Sequence, residues 1–284
     1  MWSFHTILIS FVTSPVTKCF ELFSYNIPGF PKDVFKCEEL DKDSDELLCA
    51  DKNNFWLIQR LTTNTKVERL QTKNESNCKS NNGQNNLFEE FCLKGITDFT
   101  TQTKDTVLFA QSSENCIWEL SIKEKHIYEY IGECDSNCVN EGCYKDGSFT
   151  EARLDRPHSM AIGQTNDVLY ITDNNGIRAA NMRNKMVSCL AATRTNRPYS
   201  IVYLQNTLIE VMSTGGPSEI NLLSEDRTPK SLGYVGEISR SHSDMLLLLS
   251  ENKTYVALID TESPFPFRFI FPKAISSHPA TLGM

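Results

Sequence analysis

Three groups of residues have the types and spacings that could do chemistry. The first is His158, in the stretch D-R-P-H-S-M-A-I-G, where a histidine stands at the start of an apolar run. An imidazole there could ligate zinc, but zinc catalysis takes about three protein ligands converging on one open position. The other histidines do not supply them. His5 lies near the N-terminus and His126 opens a different apolar segment. His242 falls in a polar stretch before a later hairpin, and His278 lies in the last segment. The second group is the cysteines. Cys134-x3-Cys138-x4-Cys143 is superficially finger-like, yet zinc ribbons use tighter paired spacings. The third is D-K-D-S-D-E at 41–46, whose alternating carboxylates could hold calcium. It lacks the glycine and the spaced terminal glutamate of a calcium loop, and a solvated loop is the simpler reading. No Gly-x-Ser-x-Gly elbow and no Gly-rich phosphate loop occurs. The residues therefore favour a non-enzymatic protein and call for no cofactor. Zinc at His158 and calcium at 41–46 are the alternatives.

The ten cysteines are an even and dense set for 284 residues, which points to disulfides and an oxidising compartment. Cys37 and Cys49 flank a strand-to-strand connection and are expected to bridge it. Cys78 and Cys92 bracket one polar stretch, and Cys134 to Cys143, with Cys138 between them, would pin a second. Cys116 and Cys189 pair with what is left. Closing a polar loop of about 15 residues is worth on the order of 3 kcal/mol in the chain-entropy model. Asn74-Glu75-Ser76 and Asn252-Lys253-Thr254 are glycosylation sequons, which suit a secreted surface. The N-terminus has a short apolar core at 7–12 followed by small and turn-forming residues, the pattern of a secretory signal. We expect residues 1–17 to be that signal and 18–284 to be one domain carrying all ten cysteines.

Composition narrows the partners. The net charge is −8 with 23% charged residues and no basic run, which argues against nucleic acid or an anionic membrane surface. No stretch reaches the roughly 18 apolar residues of a membrane-spanning helix.

The elements that must position these residues recur. In D-V-L-Y-I-T-D-N-N-G-I-R-A-A-N-M two apolar strands, 168–172 and 177–181, flank a D-N-N-G turn whose Asn-Gly tolerates the positive φ of a tight hairpin. Asp173 is expected to cap the backbone amides of that turn. The same grammar appears at 46–61, 106–122, 207–223 and 244–260. A further strand is expected after each of these hairpins (for example 66–72, 126–132 and 185–190) and before most of them (94–100, 157–163, 198–204), so the unit has four strands. The later spacing is about 40 residues, as in a propeller blade, whose two apolar faces are covered by its neighbours. The two longer gaps hold polar, cysteine-bearing insertions at about 73–92 and 133–156. Both join an outer strand to the next inner one, which places them on one face.

The segment 146–181 resembles an NHL repeat. The likeness rests on Asp146-Gly147, Ala152-Arg153, Pro157, the strand Leu169-Tyr170-Ile171-Thr172-Asp173, Asn174-Asn175 and Ile177-Arg178. The R-P-Y-S opening at 197–200 repeats the R-P-H-S at 156–159. The resemblance implies an all-β propeller of four-stranded blades, usually six. Five complete units are legible, with a sixth drawn from 272–284 or closed by 21–27. The R-P-H-S-M-A-I-G strand also resembles an inner strand of peptidyl-hydroxyglycine amidating lyase, a zinc enzyme, in which His158 would match one ligand. Comparable positions in other units carry Tyr199, residues 94–96 and the neighbourhood of Ile238. The expected function is a secreted or cell-surface scaffold that binds an extracellular protein partner through the insertions. The alternative is a zinc-dependent propeller lyase using His158.

Overall fold

The computed structural model describes side chains over 34–40, 46–59, 66–70, 87–134, 144–192 and 200–203, apart from isolated positions, and the backbone of strands elsewhere. Five four-stranded antiparallel meanders follow one another along the chain. They are β3–β6 (Lys36–Glu39, Glu46–Ala50, Phe55–Arg60, Thr65–Arg69), β8–β11 (Ile96–Thr101, Thr106–Gln111, Ile117–Ser121, His126–Ile131) and β13–β16 (Ser159–Ile162, Val168–Asp173, Gly176–Asn181, Met186–Ala192). Then come β17–β20 (Arg197–Leu204, Thr207–Ser213, Ser218–Leu223, Pro229–Val235) and β21–β24 (Glu237–Arg240, Leu246–Leu249, Val256–Ile259, Phe267–Ile270). A separate hairpin pairs β1 (Thr6–Thr13) with β2 (Lys18–Tyr25). The segment 272–284 lies outside the described residues.

The first strands of the meanders are neighbours in chain order: β3 touches β8, β8 touches β13, β13 touches β17 and β17 touches β21. Side-chain alternation explains why the sheets stack. Along β9, Val107 and Phe109 enter a core shared with the first sheet, while Leu108 and Ala110 enter one shared with the third. A strand buried on both faces needs apolar residues at nearly every position, as T-V-L-F-A-Q supplies. The first core is aromatic. Phe55 meets Phe99 and Phe109 edge-on at 5.6 and 5.5 Å, and Phe91 meets Trp118 at 4.8 Å.

The D-N-N-G turn folds as expected. Asp173 Oδ1 accepts the Asn175 amide at 2.8 Å, and β14 and β15 are joined through Asn174 and Asn175. Gly176 has φ +142°, and a Cβ there would lie 2.0 Å from the Ala191 carbonyl oxygen, so no other residue fits.

The insertions do more than enlarge one face. Each ends in a two-residue strand that adds to the outer edge of the following sheet: β7 (Asn86–Leu87) pairs with β11, and β12 (Gly147–Ser148) pairs with β16. The two segments that follow are the same structure. Phe88 and Phe149 donate their amides to the carbonyls of Lys125 and Lys185, at 2.8 and 2.9 Å. Phe91 and Ala152 donate to Leu87 and Ser148. Lys125 and Lys185 both have positive φ, which turns those carbonyls outward at the start of β11 and β16. So L-F-E-E-F-C-L at 87–93 repeats S-F-T-E-A-R-L at 148–154. The expectation of two loops confined to one face is corrected for these residues: the chain first runs to the other end of the outer strand and then returns to the inner one.

Candidate binding face

Two polar systems frame the inner strands of these sheets. The first joins neighbouring sheets. Asp98 on β8 accepts the Ser159 hydroxyl at 2.7 Å and the Met160 amide at 2.8 Å, both from β13. Ser159 in turn accepts the Ile201 amide of β17 at 3.3 Å. From β3, Lys36 Nζ reaches Asp98 Oδ1 at 2.7 Å, and Glu38 accepts the Thr101 amide at 2.7 Å. The amides of Thr101, Met160 and Ile201 thus find acceptors on the strand one sheet earlier. Burial works against the Lys36 ammonium, but the carboxylates of Asp98 and Glu38 outweigh it and hold its pKa above the ordinary lysine value.

The second system organises the NHL-like segment. Arg178 is fully buried. Its guanidinium donates to the carbonyls of Arg153 and Lys145 at 3.0 Å each, pairs with Asp146, and stacks over Tyr144 at 4.1 Å. Asp173, also fully buried, lies 3.5 Å from it. Burial pushes the Asp173 carboxyl up to about 6, against the pull of the Asn175 amide and Arg178. The sequence signature is thereby explained: Asp146, Asp173 and Arg178 tie the incoming crossover to the hairpin of its own sheet.

Residues 155–158 enter β13 between these two systems, and each of their amides is held. The Asp155 amide meets Asp173 Oδ2 at 3.4 Å and its carbonyl accepts the Asn174 amide at 2.8 Å. The Arg156 amide is held by Asn115 of the previous sheet at 3.1 Å. The Pro157 carbonyl accepts from Thr97 at 3.2 Å, and the His158 amide donates to Thr172 at 2.8 Å. His158 Nε2 lies 3.4 Å from Asn174 Oδ1, while Asn174 Nδ2 donates to Asp155. Among the described residues no group of three or more His, Cys, Asp or Glu is placed to hold a metal ion.

Disulfides staple the same face. Cys37 and Cys49 are bonded directly across β3 and β4, as expected. Cys134 is bonded to Cys116, which departs from the expected closure onto Cys143. The reason is the β10–β11 register: Ile117 opposes Ile131, so the hairpin brings Cys116 beside the chain that runs on to Cys134. Cys92 is disulfide-bonded and Cys189 is a free thiol. Cys78, Cys138, Cys143, Asn74, Asn252 and the acidic run 41–45 lie outside the described residues. The sequence reading missed Lys36, Asp98 and Arg156 as site residues. The repeated R-P-x-S was the available signal for the last.

No protein-family model and no curated protein matches the chain by sequence. Solved structures do resemble it. One is in a nidogen/laminin complex, with a TM-score of 0.55 and 14% identity over 80% of this chain and 78% of that one. Another is virginiamycin B lyase from Staphylococcus aureus, in a catalytically inactive form with quinupristin (TM-score 0.53, 14% identity, 91% and 76% covered). A selenomethionine-substituted form of that lyase gives 0.52 and 13% over 89% and 75%. The chain is a β-propeller. Its meanders are blades, β3, β8, β13, β17 and β21 are their inner strands, and residues 155–158 lie where an inner strand begins. The likeness is one of fold, shared by a complex-forming protein and an enzyme. No helix among the described residues is long and apolar enough to cross a membrane.

Proposed function

We propose that this β-propeller is a secreted or cell-surface protein of NHL-like type that binds an extracellular protein partner and is not an enzyme. One observation carries the reading: Cys116–Cys134 fastens the root of the 133–156 insertion to the second blade, so a long polar loop leaves a rigid frame at a fixed point. The bonds at Cys37–Cys49 and Cys92 fit an oxidising compartment. In the same reading residues 1–17 are a cleaved signal, 18–284 form a six-bladed ring with its last blade drawn from the chain ends, and Asn74 and Asn252 carry glycans. N-terminal sequencing of the secreted protein checks the first point: a mature chain starting between Ser14 and Lys18 is expected, and retention of Met1 refutes it.

Because 147–154 caps an outer edge, the test exchanges only residues 135–143 for a Gly/Ser linker and compares recovery of cell-surface and matrix proteins by pull-down. At least a ten-fold loss of a specific partner is expected, and equal recovery moves the interface elsewhere. The zinc-lyase alternative rests on His158 and on the fold of one neighbour. Metal analysis of purified protein settles it: stoichiometric zinc that is lost in His158→Ala would overturn the scaffold reading.

A further inference from the structure

Arg156 is in the left-handed region, at φ 53°. That conformation belongs to the fold. Gly95 enters the second blade's inner strand three residues before Asp98, as Arg156 precedes Ser159, and has φ 64°. Each amide is held by an asparagine of the preceding blade: Asn53 Oδ1 for Gly95 and Asn115 Oδ1 for Arg156. Glycine adopts this backbone without strain and arginine does not. The strain does not serve the packing, because the Arg156 side chain is exposed. It makes no ion pair among the described residues, whereas Arg153, Arg178 and Arg183 each have a carboxylate. A strained residue persists where the surroundings over-determine it, and such positions concentrate at ligand sites.

The surroundings here are the clamp described above, in which all three amides of 155–158 and the carbonyls of Asp155 and Pro157 are taken up by Asp173, Asn174, Asn115, Thr97 or Thr172. The clamp fixes the guanidinium's point of origin, which lowers the ordering cost of a bond to it. Beside it, His158 is oriented through Asn174 and Asp155. The next blade repeats R-P-x-S, which places Arg197 at the matching register position of β17, a strand in contact with β13.

We infer that Arg156 is a carboxylate-recognition point at the entry to the third blade's inner strand, taking an Asp, Glu or terminal carboxylate from an extended segment of a protein partner. The inference rests on the binding-scaffold reading and deepens it. A guanidinium matches one carboxylate with two parallel hydrogen bonds. The −8 charge of the whole chain repels a polyanion such as nucleic acid or a sulfated sugar far more than a single carboxylate on an otherwise neutral segment.

The test uses the full-length secreted protein and three probes: an acetylated, amidated pentapeptide of alanine with central glutamate, its glutamine counterpart, and a heparin hexasaccharide. Binding is measured by isothermal titration calorimetry, and the Arg156 side-chain N–H resonance of the wild type is followed by NMR. Saturable shifts with the glutamate peptide are expected, with at least ten-fold weaker binding of the glutamine peptide. Arg156→Gly should abolish the response and raise Tm by about 2–4 °C, because the strain is relieved. Equal binding of both peptides, unchanged binding in Arg156→Gly, or tighter binding of the hexasaccharide overturns the inference. Partner recovery that depends on 135–143 but not on Arg156 removes this site and leaves the scaffold reading standing. Glutamate-peptide binding without any recovered partner does the reverse.

Discussion

Asp98→Ala is expected to lower the unfolding free energy by about 3–5 kcal/mol, through the several donors it leaves without their acceptor. Asp98 is 7% exposed and accepts from Lys36, Ser159 and the amides of Phe99 and Met160. Alanine leaves Lys36 with Glu38 as its one carboxylate, at 2.9 Å, and removes the acceptor of the Ser159 hydroxyl and of the Met160 amide at the edge of β13. Asp98→Asn should recover part of the loss, since an amide oxygen still accepts one N–H while the attraction for Lys36 is gone. Ser159→Ala should cost about 2 kcal/mol, because its hydroxyl donates to a carboxylate and accepts the Ile201 amide. Urea denaturation of the three variants checks the order. A loss below about 1 kcal/mol for Asp98→Ala would mean the blades are joined by apolar contact alone.

The second large effect depends on pH. The Asp173 carboxyl moves from 3.8 to about 6 on folding, chiefly through burial. Its raised value makes the protonated form the one the fold prefers. The stability it contributes is fully present below about pH 4, declines between 4 and 6, and is lost above 6. That displacement corresponds to roughly 3 kcal/mol. Asp173→Asn cannot ionise, so the difference in stability between wild type and variant should shift by roughly 3 kcal/mol in the variant's favour from pH 4 to pH 7. The amide Nδ2 facing Arg178 lowers the variant's stability equally at both pH values and leaves that shift unchanged. Thermal unfolding of both proteins across that range reads it, and parallel pH profiles would place the proton elsewhere.

Much of the scaffold was legible because it rests on local rules. The D-N-N-G turn, the two-sided apolar runs and the four-strand unit each follow from backbone preference and burial, and the observed strands begin within a residue or two of the expected ones. The disulfide at Cys37–Cys49 was legible for the same reason, since directly opposed positions on a hairpin need no tertiary knowledge. Cys134 was misread because nearness in sequence favoured Cys143, whereas the hairpin register delivers Cys116. The edge-capping segment 86–91 was hidden by divergence: L-F-E-E-F and S-F-T-E-A share only a phenylalanine and a glutamate, and what they have in common is a pattern of backbone hydrogen bonds. The Lys36–Asp98–Ser159 chain was illegible for a different reason. Its members are three dissimilar residues at one register position, and only stacking brings a lysine, an aspartate and a serine into sequence with one another.

The inter-blade bonds have a direction. Glu38, Asn53, Asp98, Asn115 and Ser159 each complete a backbone group of the blade made after their own. A chain leaving the ribosome therefore meets each new inner edge with acceptors that are already folded. Truncation should be equally one-sided. Loss of a C-terminal blade frees mainly side chains, which can turn to water, with the Lys52 carbonyl and the Gly132 amide as backbone exceptions. Loss of an N-terminal blade bares amides locked into a strand, and those cannot turn away.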